Sequence, residues 1–331
     1  MGWQELALES ESLQGNPLGD PATRPLFVWT PRDYDTEPER RYPTIYLLHA
    51  MTSQARAWFN VSPFTPSLAE QLDALSLDAV LVAVDGFTSL GGAQWIDSPA
   101  IGDYGRYLCD DVVGYVDAQF RTLPEAPHRG LAGTSSGGFG AMVWSMLRPD
   151  LFGGFATHAG DALFDVTLGA ELAPAAQALR NLYGGSFEAF WADFRSGRPV
   201  FENHADPLLQ NVYATSAAFS AAPDGTVELP FSLDTGIVLP EIFARWLAWD
   251  PVHMAPKHAE ALAGLRAIWI DAGRQDEYRL DLAAVAFRDA VVAAGPANDV
   301  LHFELFDGGH RRLGRRLAES LPHLAKRLAG L

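Results

Sequence analysis

Short runs of consecutive apolar residues alternate with helix-spaced stripes along most of the chain. Thr44-Ile45-Tyr46-Leu47-Leu48 leads into His49, and Ala79 to Val84 leads into Asp85-Gly86. Arg129-Gly130-Leu131-Ala132 stops at Gly133, Ala267 to Ile270 stops at Asp271, and Val300 to Phe306 stops at Asp307-Gly308-Gly309. Runs that are apolar at successive positions predict strands buried on both faces, as in a parallel sheet covered by helices. Each run ends in polar residues or glycine, at the sheet edge where such folds carry their chemistry.

Leu108, Val112, Val116 and Phe120 recur every four residues and predict one amphipathic helix. Leu280, Ala284, Phe287 and Val291 predict a second, stopped by Gly295-Pro296. Ahead of the central strands, residues 4–13 and 23–31 read as an antiparallel hairpin around Gly15-Asn16-Pro17. Residues 162–252 interrupt the alternation and are too long for an ordinary connection. They are expected to form a cap-like insertion, before the penultimate strand, within a single α/β domain spanning 1–331. Phe187, Phe190, Phe194, Phe201, Phe219, Phe231, Trp191, Trp246 and Trp249 supply it with aromatic surface for a pocket or for a small core of its own.

Composition narrows the function. The net charge of −17 disfavours nucleic-acid and anionic-membrane partners. The single cysteine, Cys109, excludes an intrachain disulfide and a thiolate metal cluster. No apolar run approaches the length of a membrane span. The N-terminus has neither a basic nor an apolar leader region, and Leu6 breaks the myristoylation pattern, so a cytoplasmic location is expected. His253 and His258 lack the spacing of a zinc motif. Neither metal nor cofactor is expected, and the expected partner is a small-molecule ester; oligomeric state is not readable.

The sharpest local signal is Gly133-Thr134-Ser135-Ser136-Gly137-Gly138, between a predicted strand and a predicted helix running through Met142 to Leu147. This is a G-x-S-x-G nucleophile elbow in its strand–turn–helix setting, with Ser135 as the nucleophile. A serine hydroxyl needs a base, and the base needs an acid to orient it. His310, in the glycine loop after the last strand, is the base that the order Ser…Asp/Glu…His calls for. The acid belongs to the loop after Ile270, where Asp271, Asp276 and Glu277 compete and pattern alone does not choose. The oxyanion hole needs two backbone N–H groups, expected from Ser136 and from Met51 in the loop after His49. His49, His158 and Asp161, which lie after predicted strands, are candidates for substrate contact, although a satisfied structural histidine is the better reading of His158.

From about residue 22 to the C-terminus the chain resembles the putative-esterase family of α/β hydrolases. That family includes S-formylglutathione hydrolase (esterase D), enterochelin, feruloyl and acetylxylan esterases and the antigen 85 mycolyltransferases. The landmarks are Leu47-Leu48-His49, the elbow at 133–138, the D-x-G-x-x-D-x-[FY] segment at 271–278 and the G-x-H loop at 308–310. The resemblance implies that the acid is the second Asp of that segment, Asp276, and it agrees on the Met51 amide. Residues 92–99 resemble a family loop that borders the active site, which implies Trp95 as a further candidate for substrate contact. Ala50 stands where the family usually has Gly, and Ser136 where Met is common. The expected activity is serine ester or thioester hydrolysis through an acyl-enzyme. The alternatives are acyl transfer of antigen 85 type by the same triad, and a non-catalytic binding protein on a hydrolase fold.

Overall fold

The computed structural model describes residues 2–330 except Ser62, Thr65 and Asn298. Its main sheet has eight strands: β1 (Gly2–Glu9), β2 (Thr23–Thr30), β3 (Thr44–Leu48), β4 (Val80–Val84), β5 (Arg129–Thr134), β6 (Gly154–His158), β7 (Ala267–Gly273) and β8 (Leu301–Phe306). Their order across the sheet is β1-β2-β4-β3-β5-β6-β7-β8. The strands from β3 to β8 run parallel, and β1 and β2 are antiparallel additions at one edge. This is the α/β-hydrolase architecture.

Strand alternation assigns each side chain to one of two helical layers. Ile45, Leu47, Leu81 and Trp269 face one layer. That layer comprises α1 (Leu68–Ala74) and, from the far end of the chain, the C-terminal helix Gly314–Leu328. Tyr46, Leu48, Val82 and Ile270 face the other layer. It is formed by α2 (Val113–Gln119) with the turns before it, α3 (Ser136–Leu147) and the helix Leu280–Ala294. The insertion contributes α4 (Gly169–Tyr183), α5 (Phe187–Phe194), α6 (Asp206–Phe219) and α7 (Pro240–Leu247). The two helices already named that follow it are α8 (Leu280–Ala294) and α9 (Gly314–Leu328).

Several expectations shift in detail. The first strand ends at Glu9, because Ser10 and Ser12 turn away to hydrogen-bond the Asp111 carboxylate. The four-residue stripe at 108–120 outruns the roughly 3.6-residue α-helical turn. Wider π-helical winding over Tyr107–Val112 keeps Leu108 and Val112 buried. β7 does not stop at Asp271 but runs on to Gly273, which decides where Asp271 points. Within the insertion, Phe187, Phe190, Phe219, Phe231, Trp191 and Trp246 are buried and form core. Asp250 ties the insertion to its own start by accepting from the Leu163 and Phe164 amides at 2.9 and 2.8 Å.

Candidate active site

Ser135 lies between β5 and α3 with φ 52° and ψ −122°, a strained conformation for a side-chain-bearing residue. Its N–H donates to the His158 carbonyl at 3.0 Å, and its own carbonyl accepts from the Phe139 amide at 2.9 Å. The flanking glycines are steric requirements. A Cβ on Gly133 would lie 2.2 Å from the Gly137 carbonyl carbon, and one on Gly137 would lie 2.1 Å from the Leu48 carbonyl oxygen. The same close approach presses the end of β3 against the first turn of α3.

The loops after β7 and β8 are locked together by backbone contacts. Arg274 N–H donates to the Phe306 carbonyl at 2.9 Å, and Gln275 N–H to that of Gly308 at 2.9 Å. Gly273 leaves no room for a Cβ, which would meet the Gly308 carbonyl oxygen at 2.4 Å. This pairing brings Asp276 under His310. His310 Nδ1 donates to Asp276 Oδ2 at 2.8 Å, which leaves Nε2 as the acceptor for the Ser135 hydroxyl, 3.0 Å away. Asp276 Oδ1 is held by the Tyr278 and Leu280 amides at 2.9 and 3.3 Å. The Asp276 side chain is fully buried and that of His310 is 17% exposed, so the imidazole alone reaches the open side.

The other carboxylates have different tasks. Glu277 accepts from the His310 backbone N–H at 2.7 Å, and that bond holds its carboxyl below the usual range. Asp271 shares the α9-facing side of β7 with Trp269. There it accepts from His158 Nδ1 at 2.7 Å, the Trp269 indole at 2.8 Å and Arg316 at 2.9 Å. Burial opposes its charge, but His158, Trp269 and Arg316 outweigh burial and leave its pKa lowered.

Two backbone donors stand free near Ser135. Among the described residues the amides of Met51 and Ser136 have no hydrogen-bond acceptor, and Met51 lines the same cavity as Ser135. The loop carrying Met51 is braced from below. His49 Nδ1 donates to the Ala50 carbonyl at 2.9 Å, while Nε2 accepts from Gly86 N–H at 2.9 Å. Burial lowers the His49 pKa and keeps the ring in the neutral form that this pairing needs. Thr52, not Ala50, takes the positive φ of the turn, so the absent glycine is not required.

A cavity of about 480 Å³ opens over Ser135 and His310. Of the four substrate-contact candidates, Asp161 lines it and His49, Trp95 and His158 do not. Trp95 is buried beneath the Met51 loop and donates its indole N–H to the His49 carbonyl at 3.2 Å. His158 ends β6 on the same face as Ala156, which turns it toward α9, where it bonds Ser320 at 2.9 Å. These three brace the site from behind. Phe201, one of the aromatics expected to line a pocket or form a small core, lines the cavity, and Glu171, His204, Asn211 and Tyr278 line it without having been singled out. Only Tyr278 lay in a recognisable segment; the rest belong to the motif-free insertion.

The sequence model of the family described as "Putative esterase" matches residues 21–312. A curated esterase of Mycobacterium tuberculosis (strain ATCC 25618 / H37Rv) is 29% identical over 167 residues, 48% of this chain. That alignment spans 34% of the relative, about a third of its length. Among solved structures, a ferulic acid esterase superposes with TM-score 0.61 at 16% identity, covering 98% of this chain and 97% of the other. An S-formylglutathione hydrolase from Agrobacterium tumefaciens gives TM-score 0.57 at 14% identity, covering 98% and 95%. At that identity the two structures speak for the fold.

Proposed function

The chain belongs to the Putative esterase family of α/β hydrolases, and on that premise we propose that it is a serine carboxylesterase acting on a carboxylic ester or thioester. The observation that carries this reading is the continuous hydrogen-bonded line from Ser135 Oγ through His310 to Asp276, at 3.0 and 2.8 Å, ending in an open cavity.

In the proposed reaction Ser135 Oγ attacks the ester carbonyl as His310 Nε2 takes its proton. The carbonyl oxygen becomes an oxyanion facing the Met51 and Ser136 amides, which have no competing acceptor to give up. Asp276 keeps Nδ1 protonated and stabilises the imidazolium. The tetrahedral intermediate collapses by breaking the bond to the leaving alcohol or thiol, which receives the proton from Nε2. Water then repeats the sequence on the acyl-enzyme, releasing the acid and restoring Ser135.

An active-site phosphonate bearing a fluoride leaving group tests the assignment. Wild-type protein is expected to gain the phosphonyl mass on the peptide containing Ser135 and to lose hydrolysis of p-nitrophenyl acetate in proportion. Ser135→Ala is expected to take up no label. Full labelling of the folded Ser135→Ala protein would overturn the assignment.

A further inference from the structure

Two carboxylates that no step of the hydrolysis uses line the cavity in front of Ser135 and His310. Glu171, in the first turn of α4, has partners: burial raises its pKa, but Asn211 Nδ2 donates to it at 2.8 Å and the charge of Arg279 also opposes the rise. Asp161, just beyond β6, has none. Among the described residues no N–H or O–H donates to its carboxyl and no Arg or Lys pairs with it. A half-buried carboxylate without a donor is costly to keep charged. Burial, above all, pushes the Asp161 pKa up to about 7; nearby His310 opposes the rise, while Glu171 and Asp276 add to it.

The rest of the cavity wall indicates what would satisfy that carboxylate. Among the described residues no Lys or Arg lines the cavity, and Arg279 from behind the wall acts on Glu171, so an anionic substrate would meet like charge with no cation facing it. Two aromatic rings share the wall with the carboxylates: Tyr278, 47% exposed, from the loop after β7, and Phe201, 44% exposed, from the insertion. Aromatic faces beside carboxylates are the chemistry that holds ammonium groups, since ring quadrupole and negative charge attract the same cation.

We propose that this site selects esters carrying an ammonium group, which binds against Asp161 with the Tyr278 and Phe201 rings beside it while the ester carbonyl lies over Ser135. The inference rests on the esterase reading above. It assigns Asp161 to specificity, with no part in the proton transfers, and leaves Glu171 as a second, already partnered negative charge.

The test uses two pairs of esters that differ only in charge. Butyrylcholine against 3,3-dimethylbutyl butyrate places the cation on the alcohol side. Glycine betaine ethyl ester against ethyl 3,3-dimethylbutanoate places it on the acyl side. The readout is the cationic-to-neutral ratio of kcat/KM in the wild type divided by that in Asp161→Asn, so that intrinsic reactivity cancels. A quotient of at least about tenfold on one pair is expected. A quotient within about twofold of unity on both pairs would overturn the proposal. So would a wild type that cleaves p-nitrophenyl acetate but neither cationic ester, and in that case the esterase reading would stand. A wild type that cleaves no ester at all would remove both. Should Asp161→Asn fail to fold, inhibition of wild-type p-nitrophenyl acetate hydrolysis decides. Tetramethylammonium inhibiting more strongly than tert-butanol supports the proposal, and equal inhibition overturns it.

Discussion

Among the carboxylates around His310, position in the backbone decides the role. Asp276 reaches Nδ1, Glu277 reaches only the His310 backbone, and Asp271 faces α9. Asp276→Asn should therefore lower kcat/KM by about four orders of magnitude while the protein stays folded, because an amide cannot hold the imidazole in the required tautomer. Glu277→Gln retains an acceptor oxygen for the His310 amide, so its loss should be far smaller. Asp271→Asn should act on stability instead, by about 3–5 kcal/mol, since it removes the carboxylate from the fully buried pair with His158 and leaves partly exposed Arg316 only Glu304. The Asp271 pKa is depressed in the fold, so its pairing stabilises above the ordinary carboxylate pKa of about 3.9 and fades as pH falls below it. The gap in denaturation midpoint between wild type and Asp271→Asn is expected to narrow on acidification. Asp161 gives the opposite case. Burial raises its pKa to about 7; His310 from the β8 loop opposes the rise, Glu171 from α4 and Asp276 from the β7 loop add to it, and His204 lies on the same cavity wall. The carboxylate forms as pH rises through that value, so the preference for a cationic ester over its neutral isostere should grow between pH 6 and pH 8, a range about one unit to either side. Taking the ratio of the two substrates cancels the titration of the proposed triad itself.

At the scale of the element, the elbow was legible because its glycines answer a local steric demand. Gly137→Ala places a methyl group against the Leu48 and His49 carbonyl oxygens, and β3 cannot retreat because it is paired on both sides, with β4 and β5. A loss of about 1–3 kcal/mol or more is expected, with reduced turnover as the Met51 loop is displaced. Gly114 is the contrasting case: it is exposed in α2, and a Cβ there would meet nothing within 4 Å. Gly114→Ala should stabilise by about 0.4–1 kcal/mol, measured as a raised denaturant midpoint with kcat/KM unchanged. The two substitutions are chemically identical, so their opposite signs would isolate the effect of close approach. Helix α9 shows a different use of familiar residue types. Ser320, His158 and Asp271 are hydrogen-bonded in the order of a catalytic triad, yet all three are fully buried. That geometry excludes substrate and makes the trio a clamp between α9 and the ends of β6 and β7.

Across the whole molecule, the sequence determined whatever depends on neighbours along the chain. The doubly apolar strands, the helix stripes and the strained Ser135 turn between glycines each follow from local periodicity or from a backbone conformation that few residues tolerate. Residues 162–252 stood out for the same reason, as a loss of strand–helix alternation. Tertiary structure decided what depends on register and on contact between distant segments. Asp271 and Asp276 lie in one short stretch, but extension of β7 to Gly273 turns the first toward α9, and pairing with the Gly308 loop turns the second toward His310. His158, a candidate for the pocket whose better reading was structural, braces the site from behind, because strand alternation puts it on the side of Ala156. The cavity wall was least legible of all. Asp161, Glu171, Phe201 and Tyr278 come from segments far apart in sequence, and only the folding of the insertion back over the sheet gives them a common surface.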